Sequence, residues 1–263
     1  MAKGREIKLN LPAADDLFST QEERDEAKRE YVADIPLTEI SDFPNHPYKV
    51  KQDESMLELA ASIRVKGVVN PALVRPKPEG GYEMVAGHRR KFASELAGKT
   101  DMPCIVRNLT DDEATIIMVD SNLQRDKVLP SEKAFAYKMK LDAMKRQAGR
   151  PSKNSATVLP NYGGKSSRQL LAEEVGESHE QIRKYIRLTE LITPILDMVD
   201  EGKIAMRPAV ELSYLPKEQQ QVLFDTMELE DCTPSHAQAI KMRKFAEDGK
   251  LNHRRVHSPM LAS

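Results

Sequence analysis

The 263-residue sequence predicts an α+β fold in which a mixed strand-and-helix domain precedes an all-helical one. Three observations carry this. Short strand-type runs at residues 72–74 and 82–86 flank a turn at Pro78 and Gly80-Gly81, and residues 102–106 supply another run. An amphipathic helical pattern at residues 54–66 is interleaved with them, with Met56, Leu57, Leu59, Ala60 and Ile63 on one side, and it stops at Gly67. From Thr110 onward only helical patterns recur, interrupted at residues 149–164 by a stretch rich in Pro, Ser, Asn and Gly that reads as an interdomain linker.

Taken in order, residues 1–34 are polar and carry both charges, the run Gln21-Glu22-Glu23-Arg24-Asp25-Glu26 reading as a solvated helix or a mobile extension. Ile35-Pro36-Leu37 opens the first compact domain, expected over residues 35–128. Within it, Gly87-His88-Arg89-Arg90 joins the strand run 82–86 to a helix. Glycine lets backbone approach a ligand closely, and a helix start offers N–H groups beside the two arginines. That is chemistry for phosphate, although paired arginines also occur as plain surface charge. Thr110 and Glu113 have capping-box spacing and open a helix through Ile116, Ile117 and Val119 that delivers Ser121-Asn122-Leu123-Gln124-Arg125. A connecting helix is expected over residues 129–148, with Ala134, Phe135, Tyr137, Leu141 and Met144 recurring at three and four spacing.

Beyond the linker, at residues 165–230, two more capping-box pairs follow one another: Ser166 with Gln169 and Ser178 with Gln181, separated by Gly176. Helix, tight turn, helix is the format of a DNA-binding helix-turn-helix. On the second helix Ile182, Tyr185, Ile186 and Thr189 share one face, while Glu180, Arg183, Lys184 and Arg187 face the other way. The candidate DNA contacts are therefore Ser178, His179, Gln181, Arg183, Lys184 and Arg187, since arginine can bond guanine and lysine can meet phosphate in a major groove. A charged solvent face on an ordinary αα-hairpin has the same pattern. Residues 231–263 form a basic helix and tail, including Asn252-His253-Arg254-Arg255-Val256-His257.

With 40 Lys+Arg against 41 Asp+Glu the formal net charge is −1, so any DNA contact must be local rather than a coat of bulk charge. No apolar run approaches a membrane span and the first residues lack the apolar stretch of a signal peptide, so no membrane association and a cytoplasmic location are expected. Cys104 and Cys232 lie far apart without metal-ligand spacing and read as idle thiols.

The motifs occur in a telling order: Ser62-Ile63 through Gly67-Val68-Val69-Asn70-Pro71, then Val85-Ala86-Gly87-His88-Arg89-Arg90, then Asn122-Leu123-Gln124-Arg125, then the helix-turn-helix. Over roughly residues 35–216 this order resembles the ParB-type partition proteins. The resemblance implies a ParB-like N-terminal domain that binds CTP with Mg²⁺ and a helix-turn-helix domain that recognises a centromere-like site on double-stranded DNA. It further implies a homodimer that becomes a sliding clamp, a ParA-type ATPase partner, and a role in segregating a plasmid, chromosome or mobile element. Gly87, Arg89 and Arg90 match the family's phosphate-binding Gly-Glu-Arg-Arg, with His88 in place of the glutamate. Asn122 matches the asparagine of Glu-Asn-Leu-Gln-Arg and is the candidate Mg²⁺ ligand, with Ser121 where the glutamate would stand. Tyr48-Lys49-Val50-Lys51 replaces Tyr-Gln-Pro-Arg, leaving Lys49 and Lys51 as phosphate contacts or as loop lysines in water. With both acidic positions replaced, nucleotide binding is better supported than hydrolysis, and any CTPase activity is expected to be weak. The family's full C-terminal dimerisation domain is expected to be absent. Two alternatives stay open: a regulator that binds an operator without nucleotide, and a nucleotide-dependent small-molecule kinase of the same fold with Glu83 or Asp120 as base. A sulfiredoxin-like reading would need a cysteine where Gly87 stands.

Overall fold

The computed structural model describes residues 29–50, 52–125, 128–149 and 166–249. The expected extension up to residue 28, Lys51, nearly all of the expected linker and the tail from residue 250 lie outside the described residues. Chain contacts group the described residues into two compact units, one drawn from residues 29–41 and 58–108, the other from the described residues within 42–57 and 109–249.

The first unit is built on a mixed sheet of β1 (Tyr31–Pro36), β2 (Ile40–Ser41), β3 (Ala72–Pro76), β4 (Tyr82–Ala86) and β5 (Asp101–Val106), in the order β1-β5-β3-β4-β2. β1 pairs antiparallel with β5 and β3 with β4, whereas β3–β5 and β2–β4 are parallel. The β3–β4 hairpin closes through Lys77 N–H donating to Gly81 O at 3.0 Å, and Gly80 and Gly81 take the positive φ values that a side chain resists. β5 buries Met102, Cys104 and Val106 in strict alternation, so one face of the strand feeds a core with Ile35, Ile40, Ala72, Val74 and Met84. β4 instead buries Glu83, Met84 and Val85 in succession. The carboxylate of Glu83 is tolerated there because Arg75, its cross-strand partner, donates to it at 2.6 Å. Two helices belong with the sheet: α1 (Glu54–Lys66), whose N-terminal residues fall in the other unit, and α2 (His88–Leu96).

The second unit is helical: α3 (Asp111–Leu123), α4 (Pro130–Gly149), α5 (Ser167–Val175), α6 (His179–Leu188), α7 (Thr193–Asp200), α8 (Met206–Leu212), α9 (Lys217–Glu230) and α10 (His236–Glu247). Thr110 with Glu113 and Ser166 with Gln169 form the expected capping boxes, and Gly176 ends α5 in the left-handed region at φ 67°. Ser178 supplies one half of such a box, its hydroxyl accepting from Gln181 N–H at 3.1 Å. Leu188, Ile195, Leu212, Leu223, Met227 and Met242 gather α6 to α10 around one core. Tyr137 and Leu141 of α4, Leu171 of α5 and Ile182 of α6 form another, so the helix-turn-helix rests on α4.

The compact units do not coincide with the segments drawn from sequence: α3, placed within residues 35–128, packs on α4 in the helical unit. Periodicity reveals that a helix has an apolar face, not which neighbour covers it. A buried charge also joins these helices. Lys140 of α4, 2% exposed at its side chain, is paired with Asp120 of α3 and, at 2.7 Å, with Glu174 of α5. Burial raises the Asp120 carboxyl above its ordinary value even against the pull of Lys140. Among the described residues no helix is long and apolar enough to cross a membrane.

Replacing Lys140 by alanine removes the shared partner of two carboxylates that keep some contact with water. The expected cost to the helical unit is about 1.5–3 kcal/mol. Urea unfolding followed by circular dichroism measures it, and an unchanged midpoint would mean that the buried ammonium contributes nothing to the packing of α3, α4 and α5.

Candidate phosphate and nucleic-acid sites

The first candidate lies where β4 hands over to α2. Gly87 is the N-cap of α2 at φ 117° and ψ 15°, and a Cβ there would fall 2.8 Å from the Cβ of Ala72 on β3. The fold itself therefore demands glycine, before any ligand is considered. Arg90 and Lys91 donate their backbone N–H groups to Gly87 O at 2.8 and 3.0 Å and close the first turn of α2. The Arg90 side chain runs back to the loop after α1, where its Nη1 donates to Asn70 O at 2.5 Å and Pro71 O at 2.6 Å. Arg90 thus braces the loop that carries the Gly67 to Pro71 motif. Burial pulls its guanidinium below the ordinary arginine value, with the neutral Cys104 thiol, pushed up to about 11 by its own burial, close by. His88, part of the phosphate motif read from sequence, is 8% exposed and packed into the protein. Arg89 is partly exposed.

The charges of α2 run against its dipole. Arg89, Arg90 and Lys91 stand at the positive end, no acid stands in the first turn, and no base stands in the last. An anion at this end would be favoured by the dipole and by these cations together.

The other nucleotide-site candidates fall in the helical unit. Asn122 is buried, its Nδ2 donating to Met118 O at 2.8 Å, and the Ser121 hydroxyl donates to the same carbonyl at 2.9 Å. The neighbouring Asp120 carboxylate is taken up by Lys140. Among the described residues no cluster of three His, Cys, Asp or Glu side chains could hold a metal. Mg²⁺ takes most of its octahedral shell from waters and substrate phosphates, so Asn122 could serve only as one ligand of an ion held chiefly by a bound nucleotide. Lys49 donates its backbone N–H to Glu132 Oε1 at 2.9 Å and pairs its ammonium with Asp197 at 3.2 Å, both side chains about half exposed.

The second candidate surface is α5, the Gly176 turn and α6. Ile182 and Leu188 of α6 are buried, and Tyr185 meets Tyr137 edge to face with centroids 5.7 Å apart. Ser178 is exposed and His179 partly so at the N-terminus, and Arg183 reaches outward beside Glu180 at 3.3 Å with both side chains more than half exposed. Arg187 requires a correction to the outward stripe read from sequence. Its Nε and Nη2 donate to Ser213 Oγ and O at 3.0 and 2.7 Å, and its guanidinium lies 4.0 Å above the Tyr214 ring. Arg243 of α10 lies 3.7 Å from the same ring. Arg187 therefore ties the end of α6 to the segment after α8, because a guanidinium beside an aromatic face and two acceptors is better satisfied there than in water. Ser213 and Tyr214 were invisible to sequence reading, being 26 and 27 residues further along the chain with no motif of their own.

Against known proteins, the ParB N-terminal domain family matches residues 21–123 and the ParB HTH domain family residues 164–243. "Probable chromosome 1-partitioning protein ParB" of Deinococcus radiodurans is 33% identical over 217 residues, covering 82% of this chain and 68% of its own length. The chain belongs to the ParB family. A nucleoid occlusion protein of Listeria innocua is 33% identical over 73% of this chain and 60% of its own length. Among solved structures, the C-terminally truncated chromosome-partitioning protein ParB from Caulobacter crescentus complexed with CTP-gamma-S is 25% identical with a TM-score of 0.34, over 75% of this chain and 99% of that one. The ParB HTH match extends through most of α10, which sequence reading had set apart from the helix-turn-helix domain as a basic C-terminal piece.

Gly87→Ala is expected to destabilise the sheet unit by about 1–3 kcal/mol through backbone strain, with a further 1–3 kcal/mol from the contact with Ala72. Thermal melting checks it, and a wild-type transition would show that the approach of α2 to β3 has slack.

Proposed function

We propose that this chain is a ParB-type DNA-binding partition protein whose sheet unit takes the phosphates of CTP and whose helical unit recognises a centromere-like site, acting as a homodimer with a ParA-type ATPase. The observation that carries the nucleotide half is the inverted charge pattern of α2: three adjacent cations at the positive end of a helix with no acid in its first turn. Phosphate oxygens at that end would meet the helix dipole and the Arg89 guanidinium together. Arg90, held by Asn70 O and Pro71 O, acts from behind by fixing the loop, and Gly87 fixes the direction in which the helix starts. CTP itself enters through family membership, since α2 alone recognises phosphate and not a base. His88 and Ser121 stand where the family has acids, so the chain is proposed as a nucleotide binder with weak hydrolysis at most.

In the helical unit, α6 would enter the major groove by its N-terminus, with Ser178, His179 and Gln181 at the bases or backbone and Arg183 and Lys184 along its outer side. Two protomers would set two such helices about 34 Å apart, one turn of B-DNA. A chain of net charge −1 gains little from bulk attraction, so recognition depends on these local cations.

Calorimetry with CTP, ATP, GTP and UTP tests the reading. Wild type is expected to prefer CTP, and Arg89→Ala to lose roughly 10- to 100-fold in affinity, the value of one charge-assisted bond at about 1.5–3 kcal/mol. Equal affinity in the variant, or no nucleotide binding by wild type, would withdraw the phosphate site.

A further inference from the structure

A small cavity of about 200 Å³ opens in the helical unit beside α6, lined by Lys138 of α4 and by Arg183, Lys184 and Arg187 of α6, with Glu190 and Tyr214 on its rim. Four cations facing one small space repel one another, and a single carboxylate offsets them in part. Arg187 is a fixed wall, held by two bonds to Ser213 and by the Tyr214 ring. The others are loosely engaged. Lys138 Nζ lies 3.4 Å from Thr189 Oγ1 and 3.7 Å from Glu190 Oε1 with nearly half its side chain exposed, and Arg183 meets a solvent-exposed Glu180 at 3.3 Å. Solvent screens exposed pairs of this kind, so an incoming anion with several oxygens can displace them. Arg187 would add a preorganised charge at no ordering cost.

The position decides which anion. α6 has 10 residues and so spans about 15 Å. A major groove is about 12 Å wide, so a helix with its N-terminus at the base edges carries its far half out to the groove wall, where the phosphates run. The cavity lies along that half. We propose that it receives a backbone phosphate of duplex DNA, with Lys138, which lies outside the helix-turn-helix pair, as one of the contacts. The proposal rests on the DNA-binding reading given above and adds a contact from α4.

The test is the salt dependence of binding to a short random-sequence duplex and to a duplex selected for tight binding, for wild type, Lys138→Gln and Lys138→Arg. A phosphate contact predicts that Lys138→Gln lowers the slope of log K against log salt by about one on both duplexes, and that Lys138→Arg restores it. Melting curves of the three proteins should coincide. Wild-type slopes in Lys138→Gln, with wild type binding normally, would overturn the contact while leaving the DNA-binding reading intact. Failure of wild type to bind any duplex at low salt would instead overturn that reading, and this assignment with it. A parallel NMR titration with inorganic phosphate separates the sources. Lys138-dependent shifts there, with duplex binding indifferent to Lys138, would make this a site for a free phosphate and overturn the assignment to DNA.

Discussion

The sheet unit depends on the close approach of two strands' backbones at Gly87. Only a residue without Cβ can take φ 117° with Ala72 of β3 so near, and that approach determines where α2 begins. From the starting point the rest follows. The first turn closes on Gly87 O, the Arg90 side chain reaches Asn70 O and Pro71 O, and the loop between α1 and β3 is pinned beside the helix end. The same geometry leaves Arg89, Arg90 and Lys91 at the positive pole of α2. Three adjacent cations at that pole run against the helix dipole.

The helical unit is organised by α4. Its apolar side carries α5 and α6 through Tyr137 and Leu141, and its buried Lys140 joins Asp120 of α3 to Glu174 of α5. At the far end of α6, Arg187 and Arg243 both lie over Tyr214, so α10 is joined to α6 through one aromatic ring. This is a physical reason for the ParB HTH match to run on to residue 243 rather than stop after a two-helix motif.

Local features were legible in the sequence. Thr110 with Glu113, Ser166 with Gln169 and the left-handed Gly176 announce helix ends because a cap is a bond between near neighbours. The alternation at β5 and the turn at Gly80-Gly81 are of the same local kind, and the order of motifs gave the ParB family that the comparisons show. Long-range partners were not legible. Arg183 and Arg187 lie one turn apart on the same helix, yet one reaches solvent and the other turns to Ser213 and Tyr214. Helical periodicity fixes the direction of a Cβ, whereas a side chain as long as arginine chooses among acceptors brought in by other elements. Gly87 shows the same limit: its motif was read as room for a ligand, and the structure adds the approach of β3.

Backbone hydrogen exchange read by mass spectrometry, with and without CTP, tests the central claim most directly, because it reports on the helix end itself. The account predicts slowed exchange in the first turn of α2, residues 88–91, on addition of CTP. Unchanged exchange over residues 88–91 at a CTP concentration that saturates binding would contradict it, and would place the nucleotide elsewhere on the chain.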